Sequence, residues 1–484
     1  MISPRIQLLD TQTIERVVDE ACQVLADPGV RIDSTRALRI LGDAGAEVDL
    51  NQKVARLPRG LIDNALHSAP ASIPLYDLAG QPRCTLGGDS IHFHPGSTGL
   101  LLLDPENGAW RPPTTPDFVR FIKVVEGLPN LDLQSTALLC HDVPKEVQDS
   151  YRNYLLLRYA TKPIMTGAYS AEGQLVEIEL FEAMAGGREK LRAKPPVIMT
   201  ICPSPPLHWS DWTADNVIAC AEAGLPVSYV SMPLAGATGP ATLIGSVVQL
   251  AAEVLSGIVL SQTVRPGTGS VWAGSPAIFD MREGTTPMGA IETLMIDCAS
   301  VEVGKHLGLP THFYMSVSDS KTVDAQAGID STAGLLLAAL AGVNLIFGAG
   351  MLNLESAQSV EDLIIDHDVI GMARRLVRGI DTSEESLGLA IIREVGFGGN
   401  FLGHTHTRRW FSKEQFMPQV MSREALSTWQ ERGRKDVYQR ARERANQLEQ
   451  AYQPHELPVG LREALDEIML RAAGKYGMER LPES

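Results

Sequence analysis

The chain has 484 residues and a formal net charge of −16, because 58 Asp and Glu residues outnumber 42 Lys and Arg residues. The excess of acid argues against a nucleic-acid-binding protein, and 44% hydrophobic residues suffice for a full core. Six cysteines without a C-x-x-C pair exclude a disulfide scaffold, and no signal peptide is visible, so we expect reduced thiols and a cytoplasmic location.

The first 114 residues predict two small attachments. Apolar residues recur at helical spacing in three runs and predict a helical segment over residues 1–70. Residues 71–114 are richer in Gly, Pro and Asp, and they contain a short strand-like run at 91–94. The turn sequence D-P-E-N-G at 104–108 predicts a hairpin. We therefore expect a small β insertion at 71–114.

A regular alternation of strand-like and helical runs extends over residues 115–410. Eight runs have the length and apolar character of buried strands: 131–139, 163–168, 197–202, 227–232, 270–273, 311–317, 343–347 and 394–397. Eight parallel strands alternating with helices predict an α/β fold, a (β/α)8 TIM barrel. A doubly wound open sheet is the alternative, but no G-x-G-x-x-G motif supports it. Residues 411–484 return to helical spacing and predict a C-terminal helical extension.

One apolar stretch, residues 333–352, is long enough to be taken for a membrane span. Gly342 divides it into the end of a helix and a short buried strand that stops at G-A-G, residues 348–350. We therefore expect no membrane segment in this part of the chain.

The chemistry of such a barrel is expected in the loops that follow the strands. These loops are rich in Gly, Pro, Ser and Met, and they offer no evident acid–base pair. Aromatic side chains could instead surround a cation, since their π faces attract an ammonium group. The candidates are Phe93, Tyr229, Trp272, Tyr314 and Phe347. The simpler interpretation is that each of them fills the core.

Polar residues near the strands add further binding candidates. Glu283 and Asp319 could balance a buried positive charge, or they could cap a helix or pair with a neighbouring cation. His94 lies in the insertion, and His404 and His406 flank one residue near the end of the barrel. Two histidines without a nearby acid or cysteine are weak metal ligands, so we predict no metal site. The pattern assigns no catalytic residue.

Several ordered motifs resemble those of the trimethylamine methyltransferase family. They are S-D-S-K at 318–321 with D-A-Q-A-G at 324–328, A-G-V-N-L-I at 341–346 with G-A-G-M-L at 348–352, D-L-I-I-D at 362–366, and G-F-G-G-N-F-L-G-H-T-H-T at 396–407. The hairpin at 105–111 also fits. The resemblance covers nearly the whole chain, from about residue 10 to residue 475.

This resemblance implies a barrel enzyme, of a family related to methanogenesis, that moves a methyl group from a methylated amine to the Co(I) of a corrinoid. A separate small protein carries the corrinoid (a cobalamin), so we expect no tightly bound cofactor. The expected partners are this corrinoid protein, a small quaternary amine and further copies of the chain in a homo-oligomer. The founding members contain pyrrolysine. This sequence has none and resembles the branch without it, of the glycine betaine methyltransferase type.

Leaving-group chemistry narrows the choice of methyl donor. A quaternary ammonium releases a neutral tertiary amine without a proton transfer, whereas a neutral tertiary amine needs activation before it can lose a methyl group. Because the strand-end loops offer no acid–base pair, we expect a quaternary amine, such as a betaine or a carnitine-like compound. Catalysis would then consist of positioning and desolvation.

The resemblance also suggests which residues contact the polar end of the donor. Some members of the branch carry His at the position of Phe347, in the segment A-N-L-I-H-G. If that His helps to hold a carboxylate of the substrate, this contact is absent from the present chain. Phe347 is therefore a candidate specificity residue, while Asn344, His94 or His404 would contact the polar end. Two other functions stay open: a non-catalytic barrel that binds a quaternary amine, and a metal-dependent lyase or hydrolase that uses His404 and His406.

Overall fold

Eight short buried strands form the centre of the computed structural model, which describes residues 4–482. In chain order they are His92–Pro95, Gln134–Ser135, Ile164–Thr166, Val197–Ile201, Val227–Ser231, Ser270–Gly274, Thr311–Tyr314 and Leu345–Ala349. Neighbouring strands are parallel, and the first strand pairs with the eighth. The Asp132 N–H donates to Phe93 O at 2.8 Å and closes the ring between the first and second strands. The predicted (β/α)8 TIM barrel is thereby confirmed.

The strand that completes the barrel differs from the one that the sequence predicts. The prediction of a strand at 394–397 is wrong: a helix covers Leu389–Val395 and ends at Gly396, whose φ of 59° suits glycine. The missing strand is His92–Pro95, which the sequence places in the β insertion. The segment boundaries at residues 70, 114 and 410 stay predictions.

Helices connect the strands and pack on the outside of the barrel. They are Thr115–Glu126, Gln148–Tyr159 after a short 3-10 turn at Lys145–Val147, Ala171–Ala185, Arg188–Ala193, Asp211–Ala223, Leu243–Val264, Ile291–His306, Ala325–Ala341 and Val360–Val377. The predicted division of residues 333–352 into helix and strand is confirmed. Leu243–Val264 is long and apolar enough to cross a membrane, but 72% of its most apolar window is buried inside the protein, as in a barrel helix.

The N-terminal attachments cover the side and the base of the barrel. The helices Thr11–Ala26, Thr35–Asp43 and Arg59–Ser68 pack beside a small sheet of Val30–Ile32, Glu47–Asp49, Val54–Arg56 and the loop strand His208–Trp209. A hairpin of Ile73–Tyr76 and Pro82–Leu86 follows. Its buried side chains share one apolar cluster with the amino-terminal parts of the strands, the members being Ile73, Leu75, Leu86, Leu133, Met165, Ile198, Val271 and Leu345. The hairpin therefore closes the amino-terminal end.

A second small sheet lies over the opposite end, where the strands finish. The hairpin Leu101–Leu103 with Trp110–Arg111 follows the first barrel strand, and the hairpin Met351–Leu352 with Ala357–Gln358 follows the eighth. Parallel pairing joins the two hairpins. The predicted hairpin around residues 104–108 is confirmed, and this rim sheet borders the entrance to the barrel. A further strand pair, Leu234–Ala235 with Ala277–Ile278, links two strand-end loops.

The C-terminal part consists of short helices followed by two longer ones. The helices are Glu384–Leu387, Leu389–Val395, Thr405–Glu414, Leu426–Glu431, Val437–Ala451 and Val459–Gly474. Ala441, Ala445 and Leu448 of one long helix and Leu465 and Met469 of the other are buried. These side chains attach both long helices to the barrel helices, whereas the shorter helices remain largely exposed.

Candidate functional site

A cavity of about 360 Å³ lies at the carboxyl ends of the strands. Its wall consists of residues that end or follow six of the strands: Ser97, Thr98, Met165, Thr166, Gly167, Ala168, Thr200, Ile201, Cys202, Met232, Tyr314 and Phe347. Leu100, Tyr169, Trp212, Glu355 and Ser356 complete the lining. This is the end of the barrel at which enzymes of this fold hold their active sites, and the volume suits a small organic molecule.

Two aromatic rings form one wall of the cavity. Tyr314 and Phe347 are paired residues on the seventh and eighth strands. Their ring centroids are 3.6 Å apart, and the ring planes are inclined by only 15°. A register shift at Gly348, whose φ is 123°, directly follows Phe347. Tyr169 and Trp212, which are 42% and 37% exposed, add two rings at the entrance. The cavity therefore offers an aromatic surface that can attract a cation.

One carboxyl group belongs to this cavity. Within residues 4–482, Glu355 is the one acidic residue that lines it, and no Arg, Lys or His lines it. Glu355 lies at the tip of the rim hairpin that follows the eighth strand. Asn353, Leu354 and Glu355 have φ values of 54°, 56° and 69°, and such left-handed backbone costs roughly 1 kcal/mol or more per non-glycine residue.

Hydrogen bonds hold this strained tip in place. The Asn353 N–H donates to Ser320 O at 2.9 Å, and the Asn353 side-chain amide donates to Ser356 Oγ at 2.8 Å. The Ser356 N–H in turn donates to Asn353 O. The surrounding structure maintains an unfavourable backbone conformation at Glu355, the residue that brings a carboxyl group to the cavity. Strain that is maintained in this way indicates that the position of Glu355 serves a function.

Burial governs the ionisation of the groups around the cavity. Desolvation raises the pKa of Glu355 to about 8, and the nearby Ser275 hydroxyl opposes this rise only in part. Burial also raises the pKa of the Cys202 thiol to about 12, so Cys202 is a thiol and not a nucleophilic thiolate at neutral pH. The pKa of Tyr314 rises for the same reason. The empty cavity is therefore nearly uncharged at pH 7, and a bound cation would favour ionised Glu355.

One buried cation, Arg152, lies behind the cavity wall and is already engaged. The buried Arg152 guanidinium donates to Thr136 O at 2.7 Å and to Tyr169 Oη at 2.8 Å. Its Nε–H donates to Gln148 O at 3.2 Å, and the guanidinium lies 5.0 Å from the Tyr169 ring centroid. Arg152 thus fixes a ring at the entrance and does not present its charge to the interior.

A pair of neutral histidines lies beside the aromatic wall. His94 Nε2 and His312 Nε2 are 3.0 Å apart, and His312 Nδ1 is 2.8 Å from Ser228 Oγ. Burial lowers the pKa of His94 to about 3 and lowers the pKa of His312 well below its usual value. The His94 ring centroid is 5.3 Å from that of Phe347. In such a contact one neutral imidazole donates its N–H to the ring nitrogen of the other, so this pair supports the wall without adding charge.

Three of the predicted aromatic residues face away from the cavity. Trp272 Nε1 donates to Ser300 O at 3.0 Å on a surrounding helix, and the Tyr229 hydroxyl donates to Ser261 Oγ on another. The Phe93 ring lies 5.0 Å from the Arg374 guanidinium. All three are buried, and they pack between the strands and the helices. Tyr314 and Phe347, in contrast, line the cavity as predicted.

The predicted polar residues also lie outside the cavity lining, and of these His94 packs against the Phe347 ring. Asn344 sits at the amino-terminal end of the eighth strand, where its Oδ1 accepts from Thr311 N–H at 3.0 Å. Asp319 accepts from the N–H groups of Met288 and Gly289 at 2.7 and 3.0 Å. These contacts hold the backbone. Glu283 is exposed on a loop.

His404 belongs to the C-terminal part and caps a helix. Its Nδ1 accepts from the His406 N–H at 3.0 Å, and its Nε2 lies 3.3 Å from Glu394 Oε1. In the described part of the chain, residues 4–482, no group of three or more His, Cys, Asp or Glu side chains is placed to hold a metal ion. The metal-dependent alternative therefore has no assembled site in these residues.

Sequence reasoning does not select Glu355, Trp212, Tyr169 or Cys202 as site residues, although all four line the cavity. Tyr169 directly follows one predicted strand and Cys202 ends another, and these positions are a usable signal. Glu355 lies five residues after the G-A-G that ends the eighth strand. An acid so close to a barrel strand end is a weak signal, and the left-handed turn that directs it to the cavity has no sequence signature.

Comparison with known proteins shows the family of the chain and agrees with the fold. The model of the trimethylamine methyltransferase family matches residues 2–477. A trimethylamine methyltransferase of Desulfitobacterium hafniense is 31% identical over 458 residues, which cover 95% of this chain and 92% of that protein. A glycine betaine methyltransferase of the same species is 30% identical over 478 residues, which cover 98% and 99%. A trimethylamine methyltransferase of Methanosarcina barkeri is 32% identical over 452 residues, which cover 92% and 90%.

Solved structures with the same architecture are more distant in sequence. The monomethylamine methyltransferase of Methanosarcina barkeri matches with a TM-score of 0.51 at 12% identity, over 92% of this chain and 89% of that one. The hydroxylamine complex of MtmB matches with a TM-score of 0.53 at 12% identity, over 96% and 89%. At this level of identity, the likeness concerns the fold.

Proposed function

Because the chain belongs to the trimethylamine methyltransferase family and is a methyltransferase, we propose that it moves a methyl group from a quaternary amine to the Co(I) of a corrinoid on a partner protein. The observation that supports this donor is the cavity. It combines the stacked rings of Tyr314 and Phe347 with the carboxyl group of Glu355, and it has no cationic side chain in its lining among the described residues.

The residues of the cavity match the needs of a quaternary ammonium donor. The aromatic rings and the carboxylate of Glu355 attract the ammonium group, and the apolar wall excludes water from it. The departing tertiary amine is neutral, so the site has to supply no proton. The task of the chain is to hold the amine with one methyl group directed to the entrance. Tyr314, Phe347 and Glu355 are the residues that we assign to this task.

The corrinoid fits at the entrance and not inside the barrel. A cavity of about 360 Å³ accommodates a small amine but not a corrin macrocycle in addition. The corrinoid supplies the nucleophile that accepts the methyl group. Exposed apolar and aromatic side chains of the lining lie at the entrance, namely Leu100, Tyr169 and Trp212, and such a patch is typical of a protein-binding surface. We assign the docking of the corrinoid protein to this rim.

A separate apolar surface supports the proposed homo-oligomer. Ile380, Leu387, Phe397 and Leu402 are 74%, 68%, 110% and 82% exposed, and they lie after helix Val360–Val377. This helix runs from the rim to the base of the barrel, where Arg374 contacts Asp132 before the second strand. A second copy can therefore cover the surface of residues 380–402 while the corrinoid protein occupies the entrance. We retain the cytoplasmic location as part of the proposal.

Reconstitution tests the proposed function. The purified protein is mixed with a reduced corrinoid protein and, in separate reactions, with choline, tetramethylammonium, glycine betaine, carnitine and trimethylamine. We expect methylation of the corrinoid, followed by its visible absorption, with at least one quaternary amine and a stoichiometric demethylated product. Corrinoid methylation by trimethylamine alone, or by none of these amines, would contradict the proposal.

A further inference from the structure

We infer that Glu355 selects the donor by charge, so that the cavity takes quaternary ammonium cations without a carboxylate, such as choline, and discriminates against betaines. This inference rests on the proposed function, because it concerns the donor for the same methyl transfer. It assigns Glu355 as a specificity-determining residue.

The first step of the argument is charge balance inside a poorly solvated cavity. A choline-type cation beside Glu355 forms a neutral pair, because one ammonium charge faces one carboxylate at the entrance of an apolar cavity. A betaine already carries its own carboxylate. In the same cavity it would bring a second negative group close to Glu355, and one of the two charges would remain unbalanced.

The second step is the lack of a cationic partner for a substrate carboxylate in the described lining of the cavity. Arg152 is engaged with Thr136 O, Tyr169 Oη and Gln148 O behind the wall. Two hydroxyl groups of the lining are also in use, since Ser97 Oγ donates to Thr136 O at 3.1 Å and Ser356 Oγ donates to Asn353 O at 2.7 Å. A carboxylate that loses its hydration here finds no cationic partner, and this makes its transfer from water unfavourable.

The third step concerns the end of the donor that is distant from the methyl groups. Tyr314 lines the cavity, and burial and nearby ionisable groups, without any hydrogen bond, raise the pKa of its hydroxyl. A single neutral donor and acceptor of this kind suits a hydroxyl group. Choline carries a hydroxymethyl group where glycine betaine carries a carboxylate, so the two compounds form a matched pair that differs only in this respect.

Binding experiments without the corrinoid partner test the inference separately from methyl transfer. Isothermal titration calorimetry measures choline, tetramethylammonium and glycine betaine binding to the wild type, Glu355→Gln and Glu283→Gln at pH 8.5. Glu355→Gln keeps the size of the side chain and removes its charge. Glu283→Gln makes the same change on an exposed loop outside the cavity, and thermal unfolding confirms that each variant is folded.

We expect the wild type and Glu283→Gln to bind choline more tightly than glycine betaine. In Glu355→Gln, the Kd for choline should rise roughly 10- to 100-fold, the range for losing one partner of a poorly solvated charge pair, while the Kd for betaine stays the same or falls. Equal binding of both ligands by the wild type, equal weakening of both in Glu355→Gln, or binding of neither overturns the inference. Tight choline binding without corrinoid methylation by any quaternary amine contradicts the proposed function and leaves charge selection intact.

Discussion

Tyr314 and Phe347 occupy paired positions on the last two strands of the barrel, and their rings stack with centroids 3.6 Å apart. The Phe347 ring also meets the His94 ring edge-on, at a centroid distance of 5.3 Å. The aromatic wall thus continues into the neutral histidine pair and leaves no polar group at position 347.

The aromatic wall predicts the outcome of a matched pair of substitutions. Phe347→Leu keeps an apolar side chain and removes the ring, so we expect the KM for the quaternary amine to rise roughly 3- to 10-fold, as for the loss of one cation–π contact. Phe93→Leu makes the same change on a ring that faces the surrounding helices. It should lower the melting temperature and leave the KM unchanged. Equal effects of both substitutions on the KM would show that the wall does not contact the donor.

The ionisation of Glu355 predicts a pH dependence of choline binding. Burial raises the pKa of Glu355 to about 8, so in the empty cavity the group is protonated at pH 7 and must lose its proton to pair with an ammonium. Choline affinity should therefore rise as the pH increases from 6 to 8.5, by up to about tenfold per unit, and level off above. Calorimetry in buffers of different ionisation enthalpy should detect one proton released per choline at pH 7.

Among the groups around Glu355, Cys202 and Tyr314 do not titrate over the same range, whereas the buried Asp297 has to be distinguished from Glu355. Burial raises the pKa of Cys202 to about 12 and raises the pKa of Tyr314. The pKa of the buried Asp297, on a helix behind the wall, is raised well above its usual value by burial and by Glu355. Ser275 does not titrate. Glu355→Gln is therefore the control: its choline affinity should be independent of pH from 6 to 8.5, and a slope equal to that of the wild type would assign the proton to another group.

The barrel could be predicted from the sequence because its buried strands are continuous apolar runs between helical segments. For the same reason, the sequence does not distinguish the aromatic residues that face the cavity from those that face the helices. Strands of a parallel barrel are buried on both faces, so Tyr229 and Trp272, which face helices, have the same sequence surroundings as Tyr314 and Phe347. The sequence predicts the strand-like run at 91–94 but not its place in the barrel, because the run is short and contains two histidines, although the closed barrel buries His94 completely.

The acidic residue of the site could not be predicted for a different reason. Glu355 reaches the cavity through a turn in which three successive non-glycine residues adopt left-handed backbone. Asn353 is a residue that tolerates this conformation, but Leu354 and Glu355 give no such signal. Contacts with Ser320 and Ser356 maintain the turn, and these contacts exist only after the seventh and eighth strands have come together.

The histidine pair predicts a loss of stability in acid. The pKa of His94 is lowered to about 3 and that of His312 is also lowered, whereas an unfolded chain binds protons at these groups near pH 6.5. The unfolded state therefore gains protons first as the pH falls, and stability decreases below about pH 6.5, by up to about 1.4 kcal/mol per pH unit for each group. This contribution is absent above pH 7.5.

A comparison of variants isolates the contribution of the histidine pair to the loss of stability in acid. His94→Gln removes one titrating group and should be less stable than the wild type at pH 7.5, but the difference in urea midpoint should shrink at pH 5. His404→Gln, at the cap of a C-terminal helix, provides the control outside the barrel. A difference between His94→Gln and the wild type that is constant over this range would show that the buried pair does not govern the acid response.

The exposed surface of residues 380–402 predicts the oligomeric state. Phe397 is fully exposed, and Ile380 and Leu402 of the same segment are 74% and 82% exposed. So many exposed large apolar side chains in one segment are favourable when another surface covers them. Phe397→Ser should weaken self-association roughly 10- to 100-fold, corresponding to about 1.5 to 3 kcal/mol for a central aromatic anchor. Sedimentation velocity over a range of concentrations measures the effect. Leu100→Ser changes an exposed residue of the cavity lining and should leave the oligomer intact while it weakens binding of the corrinoid protein. A monomeric wild type would contradict the proposed homo-oligomer, and an oligomer that Leu100→Ser disrupts and Phe397→Ser does not would place the subunit interface elsewhere.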